Sequence, residues 1–335
     1  MTSKKLIPVL LSVLLVVSCK NTATSPIVPE AEIPDLAEVE APDPQPDPVR
    51  VVIEKALAYD RHTLEDLYPY KDTTRNFQWD KIRRLLEYLE SLESGHSAWA
   101  VFQNKANING EAPAVRNWHR DAYKLVADSA GVSRYQSVPL YLPGDTVTPE
   151  RYGRDGSLVK YKGEAGSYYL VENSNFEGEW LTPKRYLKLI PDSTTVFDKA
   201  VFVDRHNQNI ATLERSGGKW LVRSMNPATT GLHNPPYGHE TPLGIFVVQE
   251  KKQRMVYLKD GSTETGGFAP WASRFSSGGY IHGVPVNVPG TQIIEFSPSL
   301  GTTPRSHMCV RNASSHAKFI YDWAPVFQSL VFVFE

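Results

Sequence analysis

The sequence predicts a multidomain, mainly β protein: an N-terminal helical segment, a small β-barrel-like middle module, and a C-terminal mainly-β, sandwich-like domain with one short helix. Three observations predict it. Apolar residues recur at helical spacing in two runs before residue 132. From there on, short β-prone runs alternate with turn signals. Near the C-terminus a short helical pattern is followed by a wholly apolar run, "LVFVFE".

The chain opens "MTSKKLIPVLLSVLLVVSCK". Lys4 and Lys5 precede an apolar run from Leu6 to Val17, which suits the core of a signal peptide and is too short to span a bilayer. Residues 1–18 are therefore expected to be a signal peptide. The run ends in Val16-Val17-Ser18-Cys19, which resembles the lipobox of bacterial lipoproteins. That resemblance implies that Cys19 is acylated, becomes the mature first residue and anchors the protein to a membrane. The alternative is an ordinary cleaved signal peptide in which Cys19 is incidental. Lys20 stands where some inner-membrane lipoproteins carry an aspartate, which favours the outer membrane over the inner.

Residues 19–48 are rich in proline and acid, and after Lys20 no base occurs until Arg50. Such a stretch buries too little apolar surface to fold and reads as a disordered tether. At about 3.1 Å per residue it reaches at most roughly 90 Å. Residues 49–131 read as a helical region. Ile82, Leu85, Leu86, Leu89 and Leu92 make one apolar face, and Val115, Trp118, Ala122, Leu125 and Val126 make another, with Pro113 at the start and Gly131 at the stop. His119, beside that second face, reads as a packed or surface histidine. Residues 132–192 read as a small β module. Its end, "EGEWLTPKRYLKLIP", resembles the closing strands of a bacterial Src-homology-type barrel, with Gly178-Glu179-Trp180 ahead of Tyr186-Leu187. A plain β-rich linker is the alternative there.

From residue 197 to 335 the pattern is β again, with "ASSHAKFIYDWA" as the short helix, its Ala317, Ile320 and Tyr321 facing inward, and "LVFVFE" as a last buried strand. Net charge is −1 and no basic stripe occurs, so nucleic acid is not an expected partner. The chain has two cysteines. If lipid takes Cys19, Cys309 has no partner, and an exported protein with a lone thiol either uses it or hides it.

The neighbourhood of Cys309 favours use. In "RSHMCVRN" the thiol lies between His307 and Arg311, and His282 ends a probable strand in "GYIHG". A neighbouring imidazolium populates a thiolate, so a nucleophile, a base and an anion-binding group are all at hand. The bland alternative is a buried, inert cysteine. His206, His233 and His239 match no zinc-ligand spacing; the "GLHNPPYGHE" loop reads as facing solvent or substrate, and no metal or cofactor is expected. The aromatic residues of "GGFAPWASRFSSGG", Phe268, Trp271 and Phe275, suggest either a mobile loop over a cleft or a hairpin with its aromatics in the core. Asn312-Ala313-Ser314 matches a glycosylation sequon, discounted in a bacterial lipoprotein.

The order His, then Cys, then Arg differs from papain-like and NlpC-type peptidases, where Cys comes first, and the strand typical of sortases is absent. It resembles the L,D-transpeptidase family of the YkuD type. His282-Gly283, Ser306-His307-Met308-Cys309-Val310-Arg311 and, upstream, Thr241-Pro242-Leu243-Gly244-Ile245-Phe246 follow that family's motifs in order. The resemblance covers about residues 197–335. It implies action on peptidoglycan stem peptides. Cys309 would be the nucleophile, His282 and His307 would serve the catalytic centre, and Ser306, Met308 and Gly283 would form the turn and oxyanion hole. Arg311, Trp271 and Phe268 would contact substrate. It implies a thioester at Cys309 that is resolved to a 3→3 cross-link, or hydrolysed to trim a tetrapeptide stem, in the cell envelope and facing the periplasm. A non-catalytic wall-binding lipoprotein and a cysteine peptidase or L,D-carboxypeptidase are the alternatives. Two departures stand out. Met308 replaces the usual glycine, which is harmless at negative φ and strained at positive φ. The stretch between His282 and Ser306 is longer than usual, so "NVPGTQIIEFSPSLG" is expected to form an extra loop near the site.

Overall fold

The strand Ser329–Phe334 is buried at every residue, and its side chains alternate between two different cores. Leu330, Phe332 and Phe334 enter one core, and Val331 and Val333 enter the other. The neighbouring strand Lys199–Asp204 does the same, with Ala200 and Phe202 on one side and Val201 and Val203 on the other. A strand covered on both faces needs continuous apolar sequence, which is why "LVFVF" and "AVFV" lack the polar alternation of a surface strand.

The computed structural model describes residues 51–95, 98–191 and 196–335. The expected signal peptide, Cys19 and the tether lie outside the described residues. Among the described residues no helix is long and apolar enough to cross a membrane. Six strands form the central sheet, in the order Ile53–Lys55, Lys219–Pro227, Asn209–Ser216, Lys199–Asp204, Ser329–Phe334 and Gly244–Val247. The first strand runs parallel to its neighbour, with Ile53 opposite Trp220. A second sheet orders Glu250–Leu258, Thr265–Ser276, Gly279–His282 and Val310–Arg311, and Val286–Asn287 pairs with its long strand. These two sheets and the helix Ser314–Trp323 enclose one core, which contains Phe246, Phe275, Ile281, Val310 and Ile320. The sandwich-like C-terminal domain and its short helix are thus as expected. Ala317 and Ile320 are fully buried, and Tyr321 is half-buried against Trp271.

The helix Trp79–Ser94 covers the other face of the central sheet with Ile82, Leu86 and Leu89. Its polar edge is tied down as well. Trp220 Nε1 donates to Glu90 at 2.7 Å, and Arg215 meets Glu93 at 2.6 Å. Burial pushes the Glu93 carboxyl up, opposed by the Phe197 N–H and by Arg215.

The region 49–131 departs from the expectation elsewhere. That helix forms as its periodicity predicts, but Ala98–Phe102 is a strand, and the expected helix over 113–131 is absent. In its place His119–Arg120 pairs with Val126–Ala127 as a short hairpin. Aspartates decide this. Asp121 Oδ1 accepts from the N–H groups of Tyr123 and Leu125, and buried Asp128 accepts from Ala130, Val132 and Tyr152. These local bonds compete with the helical ladder. Val115 instead packs with Ala112, Val132 and Tyr152, while Trp118 is left 48% exposed.

The middle module is an open antiparallel sheet in the order Glu179–Pro183, Tyr168–Asn173, Leu158–Ala165, Ala98–Phe102 and Leu187–Leu189. The "EGEWLTPKRYLKLIP" run supplies two of these strands, joined by a 3-10 turn at Lys184–Tyr186. The module approaches the C-terminal sheets closely. A Cβ at Gly156, where φ is +88°, would lie 1.9 Å from the Phe275 carbonyl oxygen, so only glycine fits.

Among the described residues two histidines are buried. Burial holds His282 down to about 4 and His316 down to about 3. His316 sits between Ser224 Oγ at 2.9 Å and Asn312 Oδ1 at 3.1 Å. Because the unfolded chain takes up these protons near 6.5 and the folded chain does not, stability is full above about 6.5 and falls as pH drops below it. Each histidine contributes about 1.4 kcal/mol per pH unit over that window. Urea unfolding of His316→Gln between pH 4 and 7 should show a slope flatter by about that amount; an unchanged slope refutes the assignment.

Candidate active site

Two backbone pairings build the site. Gly279–His282 runs parallel to Val310–Arg311, with Ile281 opposite Val310 and His282 opposite Arg311. The Asn312 N–H closes the ladder on His282 O at 2.9 Å. The segment before the second strand is zipped on its other side to residues 229–232. Arg311 and Thr229 exchange bonds of 2.8 and 3.0 Å, and the Leu232 N–H donates to Ser306 O at 2.9 Å. Cys309 is thereby held in a cleft of about 610 Å³ that is also lined by His282, Ser306, His307 and Arg311.

The two expected reacting groups share that cleft without a hydrogen bond between them. Cys309 Sγ contacts Gly278 O at 3.4 Å, and His282 Nδ1 meets Gly283 O at 2.6 Å. A carbonyl only accepts, so Nδ1 carries the proton and Nε2 is left with a free lone pair. Cys309 is partly exposed in the cleft, and the protein atoms packed around it still desolvate the thiol. That desolvation pushes the thiol up to about 11, with the Tyr280 backbone N–H and Arg311 pulling the other way. His282, 3% exposed, is held down to about 4 by burial, opposed by Gly283 O and reinforced by Arg311. Thiol and imidazole are therefore both neutral at neutral pH.

The turn "SHMC" has φ of +94° at Met308, so the side chain sits where glycine is favoured. Three contacts hold it there. Thr241 Oγ1 donates to Met308 O at 2.8 Å, the Gly231 N–H donates to Thr241 Oγ1 at 2.8 Å, and Ser306 Oγ donates to Cys309 O. Gly231 itself has no room for a Cβ, which would lie 2.8 Å from Met308 Cα. Among the described residues, the N–H groups of Met308 and Cys309 donate to no protein acceptor.

The other expected site residues divide. Arg311 lines the cleft with its Nε buried and unpaired, and it forms no ion pair among the described residues. Burial lowers its pKa. His307 is exposed at the rim, its Nε2 3.3 Å from Asp260. Gly283 does not offer its N–H to an oxyanion, because that group donates to Pro270 O at 2.9 Å; its carbonyl fixes the His282 tautomer. Phe268 and Trp271 are not brought to the cleft. Phe268 is buried under Arg254, at 3.4 Å, and Trp271 packs on Tyr321 and beneath Lys318. The mobile-loop reading of 266–279 gives way to its alternative, a long strand and hairpin with Phe268 and Phe275 in the interior. Pairing on both sides, to 250–258 and to 279–282, explains this.

The cleft walls come from Met255, Tyr257 and Leu258 on one side and from the 283–300 segment on the other. The expected extra loop is there: Asn287, Val288, Ser297, Ser299 and Leu300 line the cleft. Glu295 anchors that loop, held by Ser315, by His62 at 3.1 Å and by Arg61 at 3.4 Å. Sequence reasoning missed Thr241 as the prop of the Met308 turn, although its motif was visible, and missed Asp260 and Gly278, for which no spacing rule exists. His233 and His239 pack against Tyr123, whose hydroxyl donates to Glu240 at 2.7 Å; His239 stacks on its ring at 3.9 Å. Among the described residues no three His, Cys, Asp or Glu side chains are arranged to hold a metal.

Residues 198–333 match the model of the YkuD family, the L,D-transpeptidase catalytic domain. This part of the chain is a YkuD-type L,D-transpeptidase domain. The YkuD domain therefore holds every cleft residue named above. Among solved structures, L,D-transpeptidase 3 from Mycobacterium tuberculosis, bound to a faropenem-derived adduct, is similar at 16% identity. That overlap covers 55% of this chain and 93% of the other, with a TM-score of 0.35. An L,D-transpeptidase from Mycobacterium smegmatis is similar at 15% identity over 53% and 90%, with a TM-score of 0.34. A fused Zn-dependent amidase/peptidase/peptidoglycan-binding protein from Clostridium acetobutylicum is similar at 18% identity and a TM-score of 0.30. The overlap covers 42% of this chain and only 53% of the Clostridium protein. The assignment rests on the family match and not on these partial overlaps. No curated protein matches the chain.

Strain at Met308 makes a measurable claim. Alanine usually stabilises relative to glycine, but at φ of +94° the order reverses. Met308→Gly should be more stable than Met308→Ala by about 1–3 kcal/mol in chemical denaturation; equal stabilities would mean the turn relaxes.

Proposed function

We propose that the protein is an L,D-transpeptidase that acylates Cys309 with a peptidoglycan tetrapeptide stem and passes the acyl group to a neighbouring stem as a 3→3 cross-link, or to water as trimming. The observation that carries this reading is one cleft containing a thiol, a neutral histidine of fixed tautomer and an unpaired arginine.

The chemistry follows from the protonation states. With the thiol near 11 and the imidazole near 4, an ion pair is not the resting form. The sulfur attacks the stem carbonyl as its proton passes to His282 Nε2, and the tetrahedral oxyanion is met by the N–H groups of Met308 and Cys309. The proton then goes to the departing D-alanine amine as the C–N bond breaks, leaving a thioester. An incoming amine gives its proton to the same nitrogen and releases the thiol. Arg311 pairs with a stem carboxylate, as a half-buried cation with no acid partner among the described residues is suited to do. Ser306 braces the turn through the Cys309 carbonyl. His307, paired with Asp260, borders the entry of substrate.

The N-terminal pattern supports an envelope location, with Cys19 lipidated and the enzyme facing the periplasm. A non-catalytic wall-binding role is the second reading. The raised thiol and the absence of a thiol–imidazole hydrogen bond favour it.

Purified protein with defined stem peptides decides between them. His282→Ala should lose about 10²- to 10⁴-fold in turnover, and Cys309→Ala should abolish both turnover and the mass adduct formed with a carbapenem. Because His282 must be neutral to take the proton, kcat/KM should fall as pH drops through about 4 and stay level through neutrality. Turnover unchanged in both variants, or no adduct on the wild-type protein, rejects the enzyme reading.

A further inference from the structure

Asp155 belongs to the middle module, outside the segment that matches the catalytic family, yet it is buried against the catalytic hairpin. It follows the strand Arg151–Arg154 and is fully buried. Oδ1 accepts the Asn104 N–H at 2.8 Å. Oδ2 accepts Arg274 Nη1 and the Ser277 N–H, each at 2.7 Å. Its backbone carbonyl accepts Ser276 Oγ at 2.7 Å. Arg274 and Ser276 end the strand Thr265–Ser276, and Ser277 opens the turn that leads to Gly279–His282. The next residue, Gly278, is the one whose carbonyl faces Cys309 Sγ.

The surrounding groups reinforce this link. Arg274 is 7% exposed at its side chain and also reaches Glu250 at 3.1 Å and Gln249 at 3.2 Å. Lys105, just beyond the strand Ala98–Phe102 of the middle sheet, meets Glu250 at 2.6 Å and the Tyr280 hydroxyl at 3.0 Å. Ser277 has φ of +44°, a conformation that needs an external hold, and Asp155 provides it.

We propose that Asp155 is a positioning residue for the nucleophile: through Arg274, Ser276 and Ser277 it sets the turn that presents Gly278 O and the Tyr280 N–H to the Cys309 sulfur. The middle module is then part of the catalytic apparatus and not a spacer. The idea rests on Cys309 being the nucleophile. A carbonyl that accepts the S–H fixes the side-chain rotamer and favours the protonated thiol. The proton must leave that carbonyl for His282 Nε2, so the distance it crosses depends on the turn. Loosening the turn weakens this S–H···O contact. The thiol then becomes more acidic while transfer to substrate slows. The other charged or titratable groups of the cleft, His282, Arg311, His307, Asp260, Lys259 and Tyr257, make no bond to Asp155 or to the side chains it holds, and are untouched by the change.

The test uses Asp155→Asn in the full chain. Asparagine keeps Oδ1 for Asn104, but its amide cannot accept from Arg274 or Ser277. Two readouts are taken: the pH dependence of Cys309 alkylation by iodoacetamide, and kcat and KM with stem peptide. The expected result is an alkylation midpoint lower by about one pH unit, with kcat down about tenfold or more and KM within about twofold. Ser276→Ala, which leaves no buried charge unpaired, should move both readouts the same way by less. Asn175→Ala breaks a different bond of the same junction, to the Ile245 N–H at 2.6 Å, and should leave the alkylation profile unchanged. A folded Asp155→Asn with the wild-type profile overturns the proposal, and so does an equal shift in Asn175→Ala. If Asp155→Asn does not fold, Ser276→Ala decides, and a wild-type profile there overturns it. Alkylation does not need stem-peptide turnover, so a wild-type protein without turnover rejects the proposed function while the alkylation profiles still judge Asp155.

Discussion

The parallel pairing of Gly279–His282 with Val310–Arg311 is the constraint on which the site depends. It sets His282 opposite Arg311 and leaves Cys309 just before the shorter strand, so a histidine remote in sequence lines one cleft with Cys309 and Arg311. A two-residue strand has little cohesion alone. It survives because its far side is bonded to Thr229 and because Val310 and Ile281 are buried in the core behind it. Burial of that ladder is also what desolvates the thiol and the imidazole. The packing that aligns the two groups therefore also makes both neutral.

This neutral pair differs from an activated thiolate. Burial outweighs the attraction of Arg311 at the sulfur, and among the described residues nothing acidic lies against His282 to stabilise an imidazolium. In the proposed reaction, proton transfer therefore accompanies attack and does not precede it. Geometry matters more in such a site than in a preformed ion pair, because the acceptor nitrogen, the sulfur and the carbonyl have to be aligned at once. The structure devotes many bonds to that alignment: Gly283 O on Nδ1, Thr241 on the Met308 carbonyl, Ser306 on the Cys309 carbonyl and Asp155 on the turn beside the sulfur.

The three polypeptide regions are more entangled than their sequence patterns suggest. Ile53–Lys55 completes the central sheet, the helix Trp79–Ser94 covers that sheet, and Ala98–Phe102 lies within the middle sheet. The loop that distinguishes this cleft is anchored through Glu295 by Arg61 and His62 from near the start of the described chain. Residues far from the motifs thus shape the groove in which the motif residues sit.

Local chemistry was legible where a single segment decides its own state. The helix at 79–94, the buried strand at 329–334 and the order His282, Cys309, Arg311 follow from periodicity, composition and motif, which need no partner to be read. The helical pattern at 113–131 misled because two aspartates bind the local backbone, and Phe268 and Trp271 misled because a strand paired on both sides directs its aromatics into layers. The sequence by itself determined which residues have the chemistry to react. Only the tertiary structure decided the positive φ of Met308, the protonation states of the thiol and the imidazole, and the contacts of Asp155. Each of these depends on solvent excluded, and on hydrogen bonds made, by segments distant along the chain.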